Sequence, residues 1–306
     1  MCTIYSVFGN PVLHSKSPQL FGPLLQNEHA LYTRIRPQSA EDMVNVIRQL
    51  NIRGASITSP FKESVLPLVD HLSQDARGVG AVNCIRQSDG NISGHNTDHN
   101  GVSNALSEAG LSLKGAEILV LGAGGAARAA VYGLVSSGAK VTISNRTYAK
   151  AKALADMFGC QVVPWEHPGR LPGFDAVVSA LLPEALPPFI ENLSYGILLD
   201  AIYKPSEMTA FSREKGIPVI GGERWLIHQG VEAAAFYIGQ KPSPDILVKR
   251  LEEKPDKDSL RIFVLNEHNS RELSKNNYDL VVSAFGLDNE TVKQIIEEEK
   301  TLAYGG

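Results

Sequence analysis

Two groups of residues in this chain have the types and spacing to do chemistry. The first is the run Ile118-Leu119-Val120-Leu121-Gly122-Ala123-Gly124-Gly125-Ala126-Ala127-Arg128-Ala129-Ala130. Gly122, Gly124 and Ala127 fit the G-x-G-x-x-G/A dinucleotide fingerprint. Gly122 allows a tight turn out of a strand. Gly124 leaves no Cβ between the backbone and a pyrophosphate, and Ala127 lets the next helix pack close. The helix opening through Gly125 and Ala126 would offer its free N–H groups to phosphate, with Ala123 in the loop before it. An NAD site would place a carboxylate about 20 positions further on; this chain has Asn145-Arg146-Thr147, with Lys150 four residues after the arginine. A planar guanidinium fork suits a 2′-phosphate, so the sequence predicts NADP.

The second group is polar and lies earlier. Ser15 and Ser17 follow one predicted strand, Thr58 and Lys62 follow another, Asn83 sits on a hairpin, and Asp98 precedes a helix. Open α/β sheets bind ligands at such strand ends. A lysine and an aspartate in one crevice form an acid–base pair, in which the carboxylate orients and tunes the amine and the amine moves a proton at a reacting oxygen. Singly, each has a plainer reading: Lys62 as a solvated cation, and Ser17 or Asp98 as a helix cap.

These residues need elements to hold them. Strands are expected at 3–8, Leu31–Arg36 and Ala55–Thr58, with helices at Ser17–Asn27, Ala40–Leu50 and Glu63–Leu72 between and after them. Ser17-Pro18 resembles an N-cap followed by Pro at N1. Ala81–Arg86 and Ile92–Gly94, joined through Asp89-Gly90, read as a hairpin. A helix near Gly101–Ala109 links to a second βαβ series. That series comprises Ile118–Leu121, Ala139–Ser144, the helix Tyr148–Phe158, a strand near Gln161–Val163, and strands Ala176–Ala180, Ile197–Ala201 and Val219–Ile220. Helices at Gln229–Gly239 and from Ser243-Pro244 to about Lys254 close it.

The reading is an α/β fold: a substrate domain with a mostly parallel sheet (1–98, completed by helices of about 226–254), and a Rossmann-type domain (99–225). Residues 255–306 form a small α/β extension, with strands at Leu260–Leu265 and Asp279–Ala284 and a helix at Asn289–Lys300. Marginal for folding alone, it would add to an existing sheet, pair with another copy or begin a longer fusion. Its Tyr278–Ala284 echoes Phe174–Ala180, as two buried strands of one kind.

Composition narrows the class. The 306 residues are 43% hydrophobic with a net charge of -4, giving no footprint for nucleic acid or an anionic membrane. Residues 255–306 carry ten Asp/Glu and six Lys/Arg, which leaves the first 254 residues neutral. Cys2, Cys84 and Cys160 are odd in number and scattered, arguing for a reducing compartment and against disulfides or a metal site. With no signal pattern and no long apolar run, a cytoplasmic chain is expected, monomeric or homodimeric, acting on a small molecule.

Taken in order, the motifs over about residues 4–254 resemble those of shikimate dehydrogenases. They are Gly9-Asn10-Pro11-Val12-x-His14-Ser15-x-Ser17-Pro18, Thr58-x-Pro60-x-Lys62, Gly80-Ala81-Val82-Asn83, Gly94-x-Asn96-Thr97-Asp98-x-x-Gly101, the glycine loop, Asn145-Arg146-Thr147, Asp200-x-x-Tyr203-x-Pro205, and Gly222-x-x-x-Leu226-x-x-Gln229. The resemblance implies NADP-dependent interconversion of 3-dehydroshikimate and shikimate, in a cleft between the two domains. Ser15 and Ser17 would hold the substrate carboxylate with Tyr203 nearby. Thr58, Asn83, Asp98 and Gln229 would bind ring hydroxyls, Lys62 would move the proton with Asp98 positioning it, and Gly222 would lie at the cofactor. His14 is read as structural, His228 as a surface residue, and the stripe Ala233–Phe236 as core packing.

Four places depart from the family pattern: Gln19-Leu20-Phe21-Gly22 after Pro18, Ser56 where Asn is usual, Leu181-Leu182 after Ser179-Ala180, and Trp225 where Met often lies. Two alternatives stay open: a quinate/shikimate paralogue of altered substrate range, and a non-catalytic sensor of shikimate-type ligands.

Overall fold

The computed structural model describes residues 3–25, 29–166, 171–252, 262–266, 278–285 and 287–304. The chain divides into two compact units, Met1–Asn96 with Val231–Gly306, and Thr97–Gly230. Among the described residues no helix is long and apolar enough to cross a membrane. Cys2 lies outside the described residues, Cys84 is buried, and Cys160 is half-buried.

In the first unit the strands are β1 (Thr3–Phe8), β2 (Ala30–Arg36), β3 (Ile52–Ile57), β4 (His71–Leu72), β5 (Cys84–Ser88) and β6 (Asn91–His95). β1 lies between β2 and β3, parallel to both, and β5 runs antiparallel to β3 and β6. The β5–β6 turn uses Asp89 and Gly90 at φ 51° and 81°, the paired positive φ of a tight hairpin. The helix Ala40–Gln49 is capped by the Ser39 side chain, which accepts from the Asp42 N–H, and it buries Met43, Val44, Val46 and Ile47. This apolar face meets Ile35, Ile52, Ile57 and Ile85 in the core.

Two expected helices are cut short. The first spans only Ser17–Phe21 and continues as a 3₁₀ turn Gly22–Leu25: Gly22 keeps helical backbone (φ −52°, ψ −46°), but Pro23 has no N–H to continue the helical ladder; residues 26–28 lie outside the described set. The second is Phe61–Ser64, then a 3₁₀ turn Leu66–Leu68 and the strand β4, where Pro67 ends the helical ladder. Two short helices, Gln74–Val79 and Glu207–Glu214, escape a periodicity reading because each spans barely two turns; serine side chains cap both.

In the second unit the strands are β7 (Glu117–Leu121), β8 (Lys140–Ser144), β9 (Gln161–Val162), β10 (Phe174–Ser179), β11 (Tyr195–Asp200) and β12 (Val219–Ile220), in the order β12-β11-β10-β7-β8-β9. Every pairing is parallel. This is the 3-2-1-4-5-6 order of a dinucleotide-binding fold, with its switch point outside the carboxyl ends of β7 and β10. Near-continuous apolar runs such as Ile118–Leu121, fully buried, suit strands covered on both faces.

The C-terminal extension supplies β13 (Ile262–Leu265), β14 (Leu280–Ser283) and the helix Asn289–Tyr304. Residues 260–261, part of the expected strand, and 253–254, the end of the preceding helix, lie outside the described set. Of the three arrangements expected, the strands join the chain's own sheet, in the order β13-β14-β2-β1-β3-β5-β6-β4, with β14 parallel to β2. An otherwise open edge of β2 is thereby paired. Leu280 and Val282 pack with Val7, Val12 and Leu13, all buried, and with Ile295 and Ile296 of the helix. Burying each such aliphatic side chain is worth about 1.5–3 kcal/mol. The echo between Tyr278–Ala284 and Phe174–Ala180 places one strand in each sheet.

Candidate active site

In the first unit, the carboxyl ends of β1 and β3 open side by side. The Thr58 N–H donates to the Phe8 carbonyl (2.9 Å) and the Asn10 N–H to the Ser59 carbonyl (3.1 Å), joining the two loops that leave these strands. A Cβ on Gly9 would lie 2.5 Å from Thr58 Cγ2, so only glycine lets the loops approach. Val82 N–H donates to the Lys62 carbonyl (2.7 Å), and Ile57 N–H to the Asn83 carbonyl (2.7 Å). Ser15, Thr58 and Asn83 therefore sit at one end of this sheet, with Ser17 and Lys62 on the short helices Ser17–Phe21 and Phe61–Ser64 that follow β1 and β3.

Ser17 is not the cap that its sequence suggests. Lys16 holds the N-cap position without a side-chain cap bond, so Ser17 falls within the first turn. Its hydroxyl instead accepts from Ser15 Oγ (3.2 Å). Beyond it lies a cluster that sequence reasoning missed. The Tyr32 hydroxyl donates to Ser56 Oγ (3.2 Å), Tyr237 Oη is 3.1 Å from Tyr32 Oη, and it is 3.0 Å from Ser56 Oγ. Burial pushes the Tyr32 phenol up to about 12, against the lowering effect of hydrogen bonds from Ser56, Tyr237 and Ser17. Tyr237 is raised as well, chiefly by burial.

Two departures from the family pattern find a structural role here. Serine at 56 is short enough to let both phenols meet it. Phe21, from the Gln19–Gly22 segment, packs its ring against Tyr32 (5.5 Å between centroids) and Tyr237 (5.7 Å). Gly54 belongs to the same arrangement, since a Cβ there would lie 2.6 Å from Tyr237 Cβ and 2.9 Å from its ring. His14 is exposed on the loop.

In the second unit, Asp98 lies in the first turn of the helix Asp98–Glu108, three residues earlier than expected. Trp225 is buried, and its Nε1 donates to the Asp98 carbonyl at 2.8 Å. The Gln229 carbonyl oxygen accepts from Thr97 Oγ1 (3.3 Å), while its Nε2 donates to the Leu226 carbonyl (3.0 Å). Tyr203 is 52% exposed, yet its phenol is pushed up to about 12, first by desolvation and then by the negative charges of Asp98 and Glu223. The buried Asp200 carboxylate accepts from Ser206 Oγ and from Thr209 Oγ1 (3.0 Å), folding the Tyr203 loop back on itself. His228 is not a surface residue: it is 7% exposed, and its Nε2 lies 3.1 Å from Glu108, which also pairs with Arg224. Those two partners, Arg224 first, hold the Glu108 carboxyl below its ordinary range.

The glycine loop follows β7 at the switch point. Gly122 has φ +116° and stands against the Ala180 carbonyl, where a Cβ would come within 2.9 Å. Ala123 follows it, and Gly124 is the N-cap of the helix Gly125–Ser136, with Ala127 fully buried in the core. Nothing lies within 4 Å of a Cβ placed on Gly124 or Gly125, so the N-terminus of a twelve-residue helix opens onto free space, where its N–H groups can meet a phosphate.

At the end of β8, Asn145 Nδ2 donates to the Thr147 carbonyl (3.0 Å), while Arg146, Thr147 and Lys150 are exposed. Among the described residues neither Arg146 nor Lys150 forms a salt bridge. The open cradle followed by two cations fits a pyrophosphate and a 2′-phosphate. Gly222 packs against the backbone, with a Cβ 2.5 Å from the Ala201 carbonyl, at the start of the helix Gly222–Ala233. Leu182, after β10, is 64% exposed. Among the described residues no group of three His, Cys, Asp or Glu is placed to hold a metal ion.

The geometry agrees with what the chain is similar to. Residues 7–85 match the shikimate dehydrogenase substrate binding domain, and residues 103–186 match the shikimate / quinate 5-dehydrogenase family. A shikimate dehydrogenase (NADP(+)) of Aquifex aeolicus (strain VF5) is 35% identical over 248 residues, which is 77% of this chain and 91% of the relative. The crystal structure of shikimate 5-dehydrogenase from Thermus thermophilus, in complex with NADP(H) and shikimate, superposes with TM-score 0.73 at 33% identity, covering 81% of this chain and 98% of that one. The ligand-free 5-ketofructose reductase of Gluconobacter sp. strain CHM43 superposes with TM-score 0.74 at 26% identity, covering 82% of this chain and 98% of that one. The chain belongs to the shikimate dehydrogenase family.

Proposed function

We propose that this chain is a shikimate dehydrogenase, an oxidoreductase that interconverts 3-dehydroshikimate and shikimate with NADP(H). The observation that carries the reading is the 35% identity to an NADP(+)-dependent shikimate dehydrogenase across 91% of that relative, in a chain that keeps the lysine, the aspartate and the phosphate cradle. In this reading Ser15 and Ser17 hold the substrate carboxylate by hydroxyl hydrogen bonds, with Tyr203 nearby. Thr58, Asn83, Asp98 and Gln229 take the ring hydroxyls. NADPH supplies hydride to the carbonyl carbon. Lys62 gives a proton to the carbonyl oxygen as its charge develops, and Asp98 positions Lys62 and the substrate. The loop Gly122–Ala127 takes the pyrophosphate with Gly222 beside it, and Asn145, Arg146, Thr147 and Lys150 take the 2′-phosphate. The chain works as a cytoplasmic monomer or homodimer.

The fold alone does not choose the substrate, since 5-ketofructose reductase shares it. Initial rates of shikimate or quinate oxidation, each with NADP or NAD, make the choice. Rapid turnover with shikimate and NADP alone is the expected result. A preference for quinate or NAD would replace this reading with a paralogue of altered range. Binding of shikimate without turnover in any pairing would replace it with a sensor.

A further inference from the structure

The loop that bears Ser15 and Ser17 is held from the far end of the sequence. Glu299, 1% exposed on the C-terminal helix, receives the Val12 N–H at 3.0 Å on both of its oxygens and the Leu13 N–H at 2.7 Å on Oε2. Arg36 Nη1 lies 3.5 Å from Glu299 Oε1 and also donates to the Ile295 carbonyl (3.2 Å), while its Nη2 pairs with Glu298 (3.2 Å). A carboxylate this buried is costly unless its oxygens are matched, and here two backbone donors and a guanidinium match it.

A second tie runs through Arg34. Its Nε and Nη2 both donate to the Ser15 carbonyl, at 2.9 and 2.7 Å, while Nη1 donates to the Asp279 carbonyl just before β14 (3.3 Å). Below the loop, Leu280, Val282, Ile295 and Ile296 pack against Val12 and Leu13. All of these contacts grip the loop by its main chain or its apolar side chains. None uses the Ser15 or Ser17 hydroxyl, which bond to each other.

We propose that the C-terminal extension is a working part of the substrate site: Glu299, with Arg36 and Arg34, is a positioning residue that presets the loop so that the Ser15 and Ser17 hydroxyls meet a carboxylate without reordering. This rests on the reading that those serines hold the substrate carboxylate. A loop fixed before binding avoids the ordering cost that a loose one pays when ligand arrives, so the brace acts on shikimate affinity rather than on hydride transfer.

The test uses the full chain with Glu299→Ala, Glu299→Gln and, as a control on the exposed face of the same helix, Lys293→Ala. Each is read by the KM for shikimate, the KM for NADP, kcat and the thermal midpoint. Glu299→Ala is expected to raise the shikimate KM about tenfold or more with kcat and the NADP KM within about twofold. Glu299→Gln, which keeps an acceptor for one N–H, falls between it and the parent, and Lys293→Ala matches the parent. If Glu299→Ala lowers the thermal midpoint but leaves the shikimate KM unchanged, the glutamate only fastens the helix and the proposal is overturned. Should Glu299→Ala not fold, Glu299→Gln is judged by the same criterion. Ser15→Ala separates the two layers. An unchanged shikimate KM there overturns the serine assignment and the proposal with it. A raised KM there, with both Glu299 variants unchanged, overturns the brace alone.

Discussion

Trp225 and Asp98 are joined by one hydrogen bond: the buried indole Nε1 donates to the Asp98 main-chain carbonyl at 2.8 Å. The same ring fills the space over Gly101, where a Cβ would come within 2.4 Å of Trp225 Cδ1 and 2.8 Å of its carbonyl oxygen. The helix turn that carries Asp98 is thus held at two points by one residue that departs from the family pattern. Trp225→Phe keeps most of the ring and removes the bond, for a cost of about 1 kcal/mol. Gly101→Ala drives a methyl into ring and backbone and is expected to cost about 1–3 kcal/mol. Chemical denaturation measures both. If Gly101→Ala unfolds at the parent's midpoint, the packing described for this turn is wrong.

Lys62 bears the proton step in the proposed mechanism. Lys62→Ala is expected to lower kcat by about 10²–10⁴-fold, the range for loss of a general acid–base group, while shikimate still protects the variant against thermal unfolding. Asp98→Asn should lose kcat too, with a rise in the shikimate KM, because Asp98 is assigned to the substrate as well as to Lys62. A Lys62→Ala enzyme with near-parent turnover would remove Lys62 from the chemistry.

Arg146 offers a cleaner separation, because it is exposed and, among the described residues, makes no salt bridge. Arg146→Ala should leave the unfolding midpoint unchanged and raise the NADP KM by about 10–100-fold, the worth of a charge-assisted bidentate contact to phosphate, with little effect on the NAD KM. Equal loss for both cofactors would place Arg146 elsewhere than at the 2′-phosphate.

The sequence carried different parts of this molecule unequally. The glycine loop was legible because its requirements are local: a positive φ at Gly122 and a small residue at Ala127 can each be read from one residue type. The site loops were legible as ordered motifs. The Tyr32–Ser56–Tyr237 cluster was not, since its members lie on two strands and a distant helix, and only packing brings the three hydroxyls within 3.2 Å of one another. His228 was misread for a related reason. A polar residue beside Gln229 looks solvated until its partner Glu108, 120 positions away, is seen. Glu299 was invisible for the same cause, sitting 287 residues from the Val12 N–H that it receives.

The tyrosine cluster also predicts a response to alkali. Burial raises Tyr32 from 10.0 to about 12 and raises Tyr237 in the same direction, because the folded chain disfavours a phenolate there. Below the unfolded value both states hold a neutral phenol, and this contribution to stability is fully present. As pH rises from 10.0 towards about 12 the unfolded chain ionises first, so stability is lost over that window. The parent should therefore lose more unfolding free energy between about pH 9 and about pH 11.5 than Tyr32→Phe does, since the variant has no phenol to ionise at that position. Urea titrations of both proteins at the two pH values measure the difference, with all other titrating groups held in common. Parallel losses in the two proteins would show that Tyr32 ionises as freely folded as unfolded, and that the cluster does not shield it.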